Sequence, residues 1–498
     1  MRLSIPKSFY LTTLSLVLLL TSYSYAGTYA DSAHGDTTNG VTGRTTGFVV
    51  GNCAHCHDQH ASRVNVPSTP NNSLRGLSEE NLCEDCHGVG GPAKNIQSVI
   101  DKTYGHTYLD DVGYSGRHTT SKLELETAST GSTFPGTNRH VECSDCHEPH
   151  TAQTGNHTVF TDGNAVSNAL SGVWGVEPIT DVAWVPATTY TETDPATKEY
   201  QICFKCHSYY AFQDADGITA LTGPSGVTIT DQSMEFSKGN KSAHPVRVGL
   251  SSQTGSYAPK NLATSRMVAP WNTSGGSGVG NQTMYCSDCH GNDAATPVGP
   301  HGSANPNMIK GTTNYEWPYN VTRGRLWTLA DVYYNLHNVG TELLCKKCHS
   351  MEVVWDAGES KNIFRNYAHE KHYRRDFKAN PWASAYPKYG TGGGESQTDA
   401  GYPCITCHII VPHGSKRSRL IGYESDAAPY SLDEGGGLVW PVVWGFKKVT
   451  DPFDDTTKDC STGYDKGSCY ANTTACSTKH DANPGTDCIG GGPVTFDP

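Results

Sequence analysis

Cys53-Ala54-His55-Cys56-His57 is the first of seven copies of the pattern Cys-x-x-Cys-His, and this pattern decides the fold of the chain. Two thiols at this spacing add to the two vinyl groups of one porphyrin, and the adjacent histidine takes an axial position on its iron. The copies run Cys53–His57, Cys83–His87, Cys143–His147, Cys203–His207, Cys286–His290, Cys345–His349 and Cys404–His408.

The motifs predict seven covalent c-type haems and a multihaem cytochrome c fold. The thiols expected to attach them are Cys53, Cys56, Cys83, Cys86, Cys143, Cys146, Cys203, Cys206, Cys286, Cys289, Cys345, Cys348, Cys404 and Cys407. The expected proximal iron ligands are His57, His87, His147, His207, His290, His349 and His408. The alternative is a string of zinc ribbons, since paired Cys-x-x-Cys units also hold zinc. A histidine directly after every pair, in a chain with an export signal, favours haem.

The export signal lies at the N-terminus. Arg2 and Lys7 precede an apolar run at 10–20, and Ser24-Tyr25-Ala26 forms a small-residue cleavage site. We therefore expect a signal peptide at 1–26 and an exported product, in the periplasm or at the cell surface and exterior. No later stretch has the length of a membrane helix, so no membrane span is expected in the mature chain.

The composition indicates a protein organised by its cofactors. Hydrophobic residues make up 36% of the chain, which contains 53 Gly and 27 Pro, and long stretches show neither helical nor strand periodicity. We expect mostly irregular coil, short α-helices around the haem motifs, a few short strands and a haem-organised core. The net charge of -12 argues against nucleic acid as a partner.

The motif spacing indicates internal duplication of a two-haem module. The sequence Cys-Ser-Asp-Cys-His occurs at Cys143–His147 and again, letter for letter, at Cys286–His290. A Cys-x-Lys-Cys-His-Ser unit follows each copy, at Cys203–Ser208 and at Cys345–Ser350. Repeats of this kind stack as structural units.

Composition also suggests domain boundaries. A stretch rich in Ser, Gly and Asn at 251–282 coincides with the longest interval between motifs and predicts a linker. It separates an N-terminal four-haem region, 27–250, from a C-terminal three-haem region, 283–423. The glycine-rich segment 388–401 is a second candidate linker, and 424–498 forms a polar tail.

The tail contains four cysteines outside any haem motif: Cys460, Cys469, Cys476 and Cys488. In an oxidising compartment they are expected to form two disulfides, with three possible connectivities. A metal site using Cys476 and His480 is the alternative.

A second histidine follows the first, third, fifth and seventh motifs, at His60, His150, His301 and His413. The last three lie in Pro-His pairs, whereas the even motifs continue as Cys-His-Gly or Cys-His-Ser. The alternation suggests that haems are laid down in pairs and that the extra histidine serves a neighbouring iron.

The sixth iron ligand is expected to be histidine throughout. The chain has 22 His, of which seven are proximal, and only six Met, so bis-histidine coordination is the economical choice. His118 and His369 are reserves, while His55 and His480 are expected to be non-ligands. The distal candidates are His34, His60, His106, His140, His150, His244, His301, His337, His372 and His413.

These motifs resemble the doubled Cys-x-x-Cys-His family of multihaem c-type cytochromes of metal-reducing bacteria. The residues that carry the resemblance lie in Cys53–His60, Leu82–His87, Cys143–His150, Cys203–His207, Cys286–His301 and Leu344–His349. Some members polymerise into extracellular filaments in which a histidine near one subunit's N-terminus ligates a haem of the next subunit. The resemblance therefore implies possible self-assembly, with His34 or His60 acting in trans.

The expected function is electron transfer along bis-histidine haems, in respiration or extracellular electron transfer. The expected partners are other redox proteins or an external acceptor, and two basic clusters, 371–375 and 416–419, offer docking faces or solvated loops. The alternative is a multihaem reductase with one open iron acting on nitrite, hydroxylamine or a sulfur oxyanion. Such enzymes often replace a proximal histidine, and no motif here does so.

Overall fold

The computed structural model describes most of the first 309 residues and shorter segments after them. The described residues are 28–43, 47–58, 74–75, 79–106, 141–159, 163–212, 221–222, 228–250, 264, 267–273, 281–293, 296–309, 319–320, 325–326, 344–349, 408–417, 420–423, 425–435 and 438–440.

The α-helices within these ranges are short, and four of the seven contain motif cysteines. They are α1 (Glu79–His87), α2 (Gln97–Ile100), α3 (Cys143–Cys146), α4 (Glu199–Cys203), α5 (Tyr209–Phe212), α6 (Gln232–Glu235) and α7 (Cys286–Cys289). Helical turns of the 3₁₀ type lie at Tyr29–Asp31, Cys53–His55, Asn168–Leu170, Pro306–Met308 and Leu344–Lys347. Helices of this length are not stable alone, so side-chain caps and tertiary contacts must hold them.

The strands form two-stranded antiparallel ladders. Four ladders are local and two, β1 with β7 and β6 with β10, join distant parts of the chain. The strands are β1 (Tyr104–Gly105), β2 (Gly175–Pro178), β3 (Tyr190–Thr193), β4 (Leu221–Thr222), β5 (Thr228–Ile229), β6 (Ser242–Ala243), β7 (Gly302–Ser303), β8 (Tyr319–Asn320), β9 (Arg325–Leu326), β10 (Gly414–Ser415), β11 (Leu432–Gly435) and β12 (Leu438–Trp440). The local pairs are β2 with β3, β4 with β5, β8 with β9 and β11 with β12.

The largest apolar cluster in the described part of the chain borders the cysteine motifs. Motif cysteines Cys286, Cys289 and Cys348 pack against it, so the predicted attachment sites border this cluster. Its buried members are Val176, Tyr200, Phe204, Phe236, Val246, Trp271 and Met284.

A buried arginine ties this cluster to the β2–β3 hairpin. The guanidinium of Arg247, whose side chain is 1% exposed, contacts Asp181 and lies 2.8 Å from Oε1 of Glu177. Tyr200 donates its hydroxyl to the other oxygen of Glu177 at 2.7 Å. The charge is therefore paired and hydrogen-bonded, as burial requires.

Two further findings bear on the predicted organisation. None of the helices in the described ranges combines the length and apolarity needed to cross a bilayer. The ladders β1–β7 and β6–β10 connect the predicted four-haem region to the predicted three-haem region. The tail beyond 440, with its four cysteines, and the segment 388–401 lie outside the described residues.

Candidate functional site

The two Cys-Ser-Asp-Cys helices, α3 and α7, have the same N-terminal cap. The backbone N–H of Glu142 donates to Asp145 at 2.7 Å, and that of Tyr285 donates to Asp288 at 2.9 Å. An acidic side chain at the third helical position satisfies an N–H that the helix leaves unpaired. The aspartate of this repeated pentapeptide therefore has a local structural role.

Five of the motifs close into tight loops that end at their histidines. The histidine N–H donates to the carbonyl of the first cysteine at 2.8–2.9 Å in five motifs, those ending at His57, His147, His207, His290 and His349. After α3 and α7 the backbone becomes extended at the histidine, with φ of -127° and -103°. The imidazole thus leaves the helix directly beside the two thiols.

Two glutamates join consecutive motifs. Glu79 accepts hydrogen bonds from the N–H and hydroxyl of Ser144, at 2.6 and 2.8 Å. Glu199 accepts the same pair from Ser287, at 3.0 and 2.8 Å. These contacts bring the second motif to the third and the fourth to the fifth.

The same junctions place thiols of consecutive motifs side by side. Cys83 and Cys143 lie with Glu79 in one group whose sulfur and oxygen atoms are all within 4.8 Å, and Cys203 and Cys286 lie with Glu199 in another. The neighbouring thiol of Cys83, together with burial, raises the pKa of Cys143. Porphyrins attached at these thiols would therefore be neighbours.

Two lysines join consecutive motifs at two other junctions, between motifs 3 and 4 and between motifs 5 and 6. Lys205, 2% exposed, donates to the carbonyl of Asp145 at 2.6 Å, and Lys347 donates to that of Asp288 at 3.5 Å. Each is the lysine of a Cys-x-Lys-Cys-His unit. The fourth motif is thus linked to the third and the sixth to the fifth, in the same way.

Histidines outside the Cys-x-x-Cys-His motifs meet in pairs at three places, which we call the first, second and third crossings. At each, one histidine donates its Nδ1–H to the carbonyl of the proline that precedes another histidine. The first is His34 with Pro149-His150 at 3.1 Å, the second His106 with Pro300-His301 at 2.6 Å, and the third His244 with Pro412-His413.

The second and third crossings are built on the ladders β1–β7 and β6–β10. The tetrapeptide Pro-His-Gly-Ser supplies one strand of each, at 300–303 and at 412–415. Glycine is required because a Cβ on Gly302 would lie 1.9 Å from the carbonyl oxygen of Val99, and one on Gly414 would lie 1.9 Å from that of Glu235. The repeated glycine lets helices α2 and α6 pack against the strands at corresponding places.

The crossings set six motif histidines opposite six distal candidates. Each pair contains the histidine of a different motif, and the two ring centroids of each pair are about the same distance apart. The pairs are His57–His150 at 6.0 Å, His87–His34 at 6.2 Å, His147–His301 at 6.1 Å, His207–His106 at 6.0 Å, His290–His413 at 5.8 Å and His349–His244 at 6.3 Å.

This gap fits one metal ion between two imidazoles. A metal–imidazole bond is about 2 Å, and the ring centroid lies about 1 Å behind the nitrogen, so two axial imidazoles have centroids about 6 Å apart. The Nδ1 atoms of His34, His106 and His244 donate to proline carbonyls, which leaves Nε2 as the ligating nitrogen of these three histidines. Iron held by these histidines would supply one-electron redox chemistry.

The protonation state of the histidines also suits a metal. Burial lowers the pKa of His290, His301 and His349 to about 4. Burial lowers the pKa of four further paired histidines, namely His87, His106, His147 and His244. Neutral imidazole is the form that binds metal.

The downstream histidines of the three crossings, His150, His301 and His413, differ in the group that lies against their Nδ1 atom. His150 pairs with Glu148 at 2.7 Å, and both side chains are exposed. His413 contacts the carboxylate of Glu235, which is fully buried. The Nδ1 of His301 is buried and has no hydrogen-bond partner among the described residues.

Two other buried histidines use Nε2 for hydrogen bonds. His55 bonds the carbonyl of Val49 at 3.1 Å through this atom. His157 bonds Asp288 at 3.0 Å and stacks on Tyr285 with ring centroids 3.6 Å apart. In this arrangement neither presents Nε2 to a metal.

Several predicted site residues lie outside the described residues. They are the thiols Cys404 and Cys407, the distal candidates His60, His140, His337 and His372, the reserves His118 and His369, and the tail residues Cys460, Cys469, Cys476, His480 and Cys488. His408 of the seventh motif is described, and its backbone bridges Ile421.

Sequence reasoning missed the residues that join the motifs. A glutamate stands four residues before the first cysteine in both the second and fourth motifs, and this repeat could have revealed Glu79 and Glu199. The letter-identical Pro-His-Gly-Ser could have revealed the two ladders. Glu235 stands near no motif, and no pattern in the sequence marks it.

Comparison with known proteins gave no match, whether to family models, curated proteins or solved structures.

Proposed function

We propose that the chain is an exported heptahaem c-type cytochrome that carries electrons along bis-histidine haems, numbered here 1 to 7 by their motifs. The observation that carries the proposal is the set of six separate imidazole pairs with centroids 5.8–6.3 Å apart. A set of satisfied core histidines gives no reason for each motif histidine to face a different second imidazole across one metal-sized gap.

Two ligands from the protein leave an iron no position for a substrate, so the chemistry is outer-sphere electron transfer. The haem carries the electron, and the protein supplies spacing, orientation and tuning of the potential. The paired thiols at the junctions of motifs 2 with 3 and 4 with 5 support a continuous series of neighbouring haems. The mostly coil structure, with its core bordering the motif cysteines, suits a haem-organised fold.

The proposed partners are other redox proteins or an external electron acceptor. The signal-like N-terminus supports export to the periplasm or the cell exterior, where covalent haem attachment takes place. The net charge of -12 favours partners with a positive face and disfavours nucleic acid.

The pairing register favours self-assembly through His60. His57, His147 and His290 face the histidines that follow motifs 3, 5 and 7, so haems 1, 3 and 5 are each served by the histidine that follows the next odd motif. His60, which follows motif 1 and lies outside the described residues, has no earlier odd motif in its own chain to serve. In a second copy of the chain the last odd motif is the seventh, so we propose a head-to-tail contact in which His60 serves that motif.

His34 lies beside His87 of the same chain, which leaves His60 as the candidate in trans. Native-size measurement of the secreted, haem-loaded protein tests the contact. We expect assemblies larger than one chain, and we expect the His60→Ala variant to release monomers with unchanged haem content. Monomers alone in the unmodified protein would refute it.

The first experiment on the main proposal is haem stoichiometry and spin state of the mature protein, by visible absorption and low-temperature paramagnetic resonance. We expect seven haems, all low-spin. His106→Ala should convert one haem in seven to high spin, because it removes the imidazole opposite His207. His55→Gln is the control and should change no spin state, since His55 bonds a carbonyl through Nε2.

Each other outcome has a definite meaning. Absence of covalent haem would refute the proposal. A high-spin fraction near one haem in seven in the unmodified protein would indicate an open iron and favour a reductase acting on nitrite, hydroxylamine or a sulfur oxyanion.

A further inference from the structure

Glu235 is the one fully buried carboxylate that contacts a paired histidine in the described part of the chain. Its Oε2 receives the Nδ1–H of His413, whose ring faces His290. On the proposed function, His413 is the distal ligand of haem 5. Glu235 therefore lies directly behind an iron ligand.

The carboxylate is held in place from its other side. Tyr430 donates its hydroxyl to Oε1 at 2.6 Å, and the hydroxyl of Thr230 contacts the same oxygen. Burial, and then the charge of Glu235, raise the pKa of Tyr430, which keeps this phenol a donor. One oxygen is thus satisfied by two hydroxyls, and the other is directed to His413.

The backbone of Glu235 is fixed as well. Asp231 caps helix α6 by accepting the N–H groups of Ser233 and Met234, at 2.7 and 3.1 Å. The side-chain amide of Asn240 donates to the carbonyl of Glu235 at 2.7 Å. Oriented from both ends, the carboxylate can determine the orientation of the imidazole it receives.

The angle between the rings of His413 and His290 differs from the angles in the corresponding pairs at the other crossings. His150 and His301 lie nearly parallel to their partners, at 13° and 14°. His413 lies at 61° to His290. Of the three, only His413 has its Nδ1 against a buried side chain.

A carboxylate that accepts the Nδ1–H of a ligand makes Nε2 more electron-rich, which stabilises ferric over ferrous iron. The effect is strong where solvent does not screen the charge. We infer that Glu235 is a positioning residue that turns His413 and lowers the reduction potential of haem 5 relative to haems 1 and 3. Electrons then rest on haem 5 less readily than on those haems, so the middle of the chain holds a low-potential step.

This inference rests on the proposed function, and its test begins with protein that contains all seven haems. The experiment is an optical redox titration of wild-type protein and the Glu235→Gln variant. We expect one-seventh of the absorbance change to move to more positive potential, while six-sevenths stay in place. Glu148→Gln is the matched control, because Glu148 contacts His150 in the same way but is exposed, and its shift should be smaller.

Tyr430→Phe is the second variant and should give the opposite sign. Removing one hydroxyl from Oε1 leaves more charge for the bond to His413, so the same seventh should move to more negative potential. This variant decides the question if Glu235→Gln does not mature. Unchanged titrations in Glu235→Gln, or a positive shift in Tyr430→Phe, would overturn the inference, whereas missing haem would count against the proposed function instead.

Paramagnetic resonance gives a second readout, because the spectrum of low-spin ferric haem depends on the angle between its axial imidazole planes. Glu235→Val introduces an apolar side chain like that of Val99, which holds the corresponding place at the second crossing. We expect one of the strongly anisotropic signals to be replaced by the type given by parallel imidazoles. An unchanged spectrum would show that Glu235 does not orient His413.

Discussion

The second and third crossings have the same backbone and different surroundings for one imidazole. Both use Pro-His-Gly-Ser in a short ladder, and both accept the Nδ1–H of an upstream histidine at the proline carbonyl. The backbone carbonyl that lies against the strand glycine belongs to Val99 at the second crossing and to Glu235 at the third. Because the side chains of these two residues differ, His413 has an anionic hydrogen-bond partner and His301 has none among the described residues.

On the proposed function, this difference separates two tasks of the repeated unit. The ladder, the glycine and the proline carbonyl set where the imidazoles lie, and they recur unchanged. The residue on the helix behind the strand sets how electron-rich the ligand is, and it varies. A duplicated scaffold can in this way hold haems at similar spacing and different potentials.

Removing the distal histidine should have the largest effect, and should differ between the crossings. His301→Ala and His413→Ala should each convert one haem in seven to high spin. His413→Ala should also destabilise the protein by roughly 1.5–3 kcal/mol more, because it deprives a buried carboxylate of a hydrogen bond. Spin quantification and thermal unfolding measure the two effects, and equal unfolding temperatures would remove the distinction.

Alanine substitutions at the two strand glycines test the backbone arrangement that the second and third crossings share. Gly302→Ala and Gly414→Ala each place a Cβ 1.9 Å from a backbone carbonyl oxygen. We expect each to cost about 3 kcal/mol or more, the upper end of overpacking, because backbone must move. Denaturant unfolding of the haem-loaded proteins should give similar losses, and a large loss at only one glycine would show that the ladders are not equivalent.

The helix caps provide a pH-dependent difference. Helix α6 is capped by Asp231, whereas Ile96, at the N-cap of α2, makes no side-chain cap bond. Burial raises the pKa of Asp231 to about 6, above its unfolded value of about 4. The stability this group contributes is therefore complete below pH of about 4 and is lost as pH rises through about 6.

Asp231→Asn removes that titration. Relative to the variant, wild-type protein should lose about 2 kcal/mol of stability between pH 4 and pH 7, measured as the difference in their unfolding free energies. Any change in the hydrogen bond that the N–H of Tyr209 donates to this side chain shifts the unfolding free energy of the variant equally at every pH. Only the slope of the free-energy difference against pH therefore tests the titration. A difference that stays constant from pH 4 to pH 7 would contradict the raised pKa.

Sequence reasoning could reach the parts of the site that are written as local patterns. The motifs name the thiols and proximal histidines, and the Pro-His pairs single out His150, His301 and His413. That His150 faces His57 rather than another ring depends on long-range packing, which leaves no local pattern in the sequence. Covalent haem itself stays a prediction of the motifs.

The fold was less accessible than the site. Low hydrophobic content and many glycines indicated short elements, yet the ladder β1–β7 arises from contacts between segments nearly 200 residues apart. Such short strands carry no periodic signal. Glu235 illustrates the limit, because only the tertiary structure puts it behind His413.

Glu148 at the first crossing gives the smallest expected effect and tests why Glu235 matters. Its Oε1 lies 2.7 Å from Nδ1 of His150, but the side chains are 38% and 57% exposed. Water and salt screen an exposed pair, so Glu148→Gln should raise the potential of haem 1 less than Glu235→Gln raises that of haem 5. The haem 1 shift should also shrink at high ionic strength, whereas the haem 5 shift should persist. Optical titrations of both variants at low and high salt measure this, and equal, salt-independent shifts would mean that contact with a carboxylate is sufficient and that burial of Glu235 adds nothing.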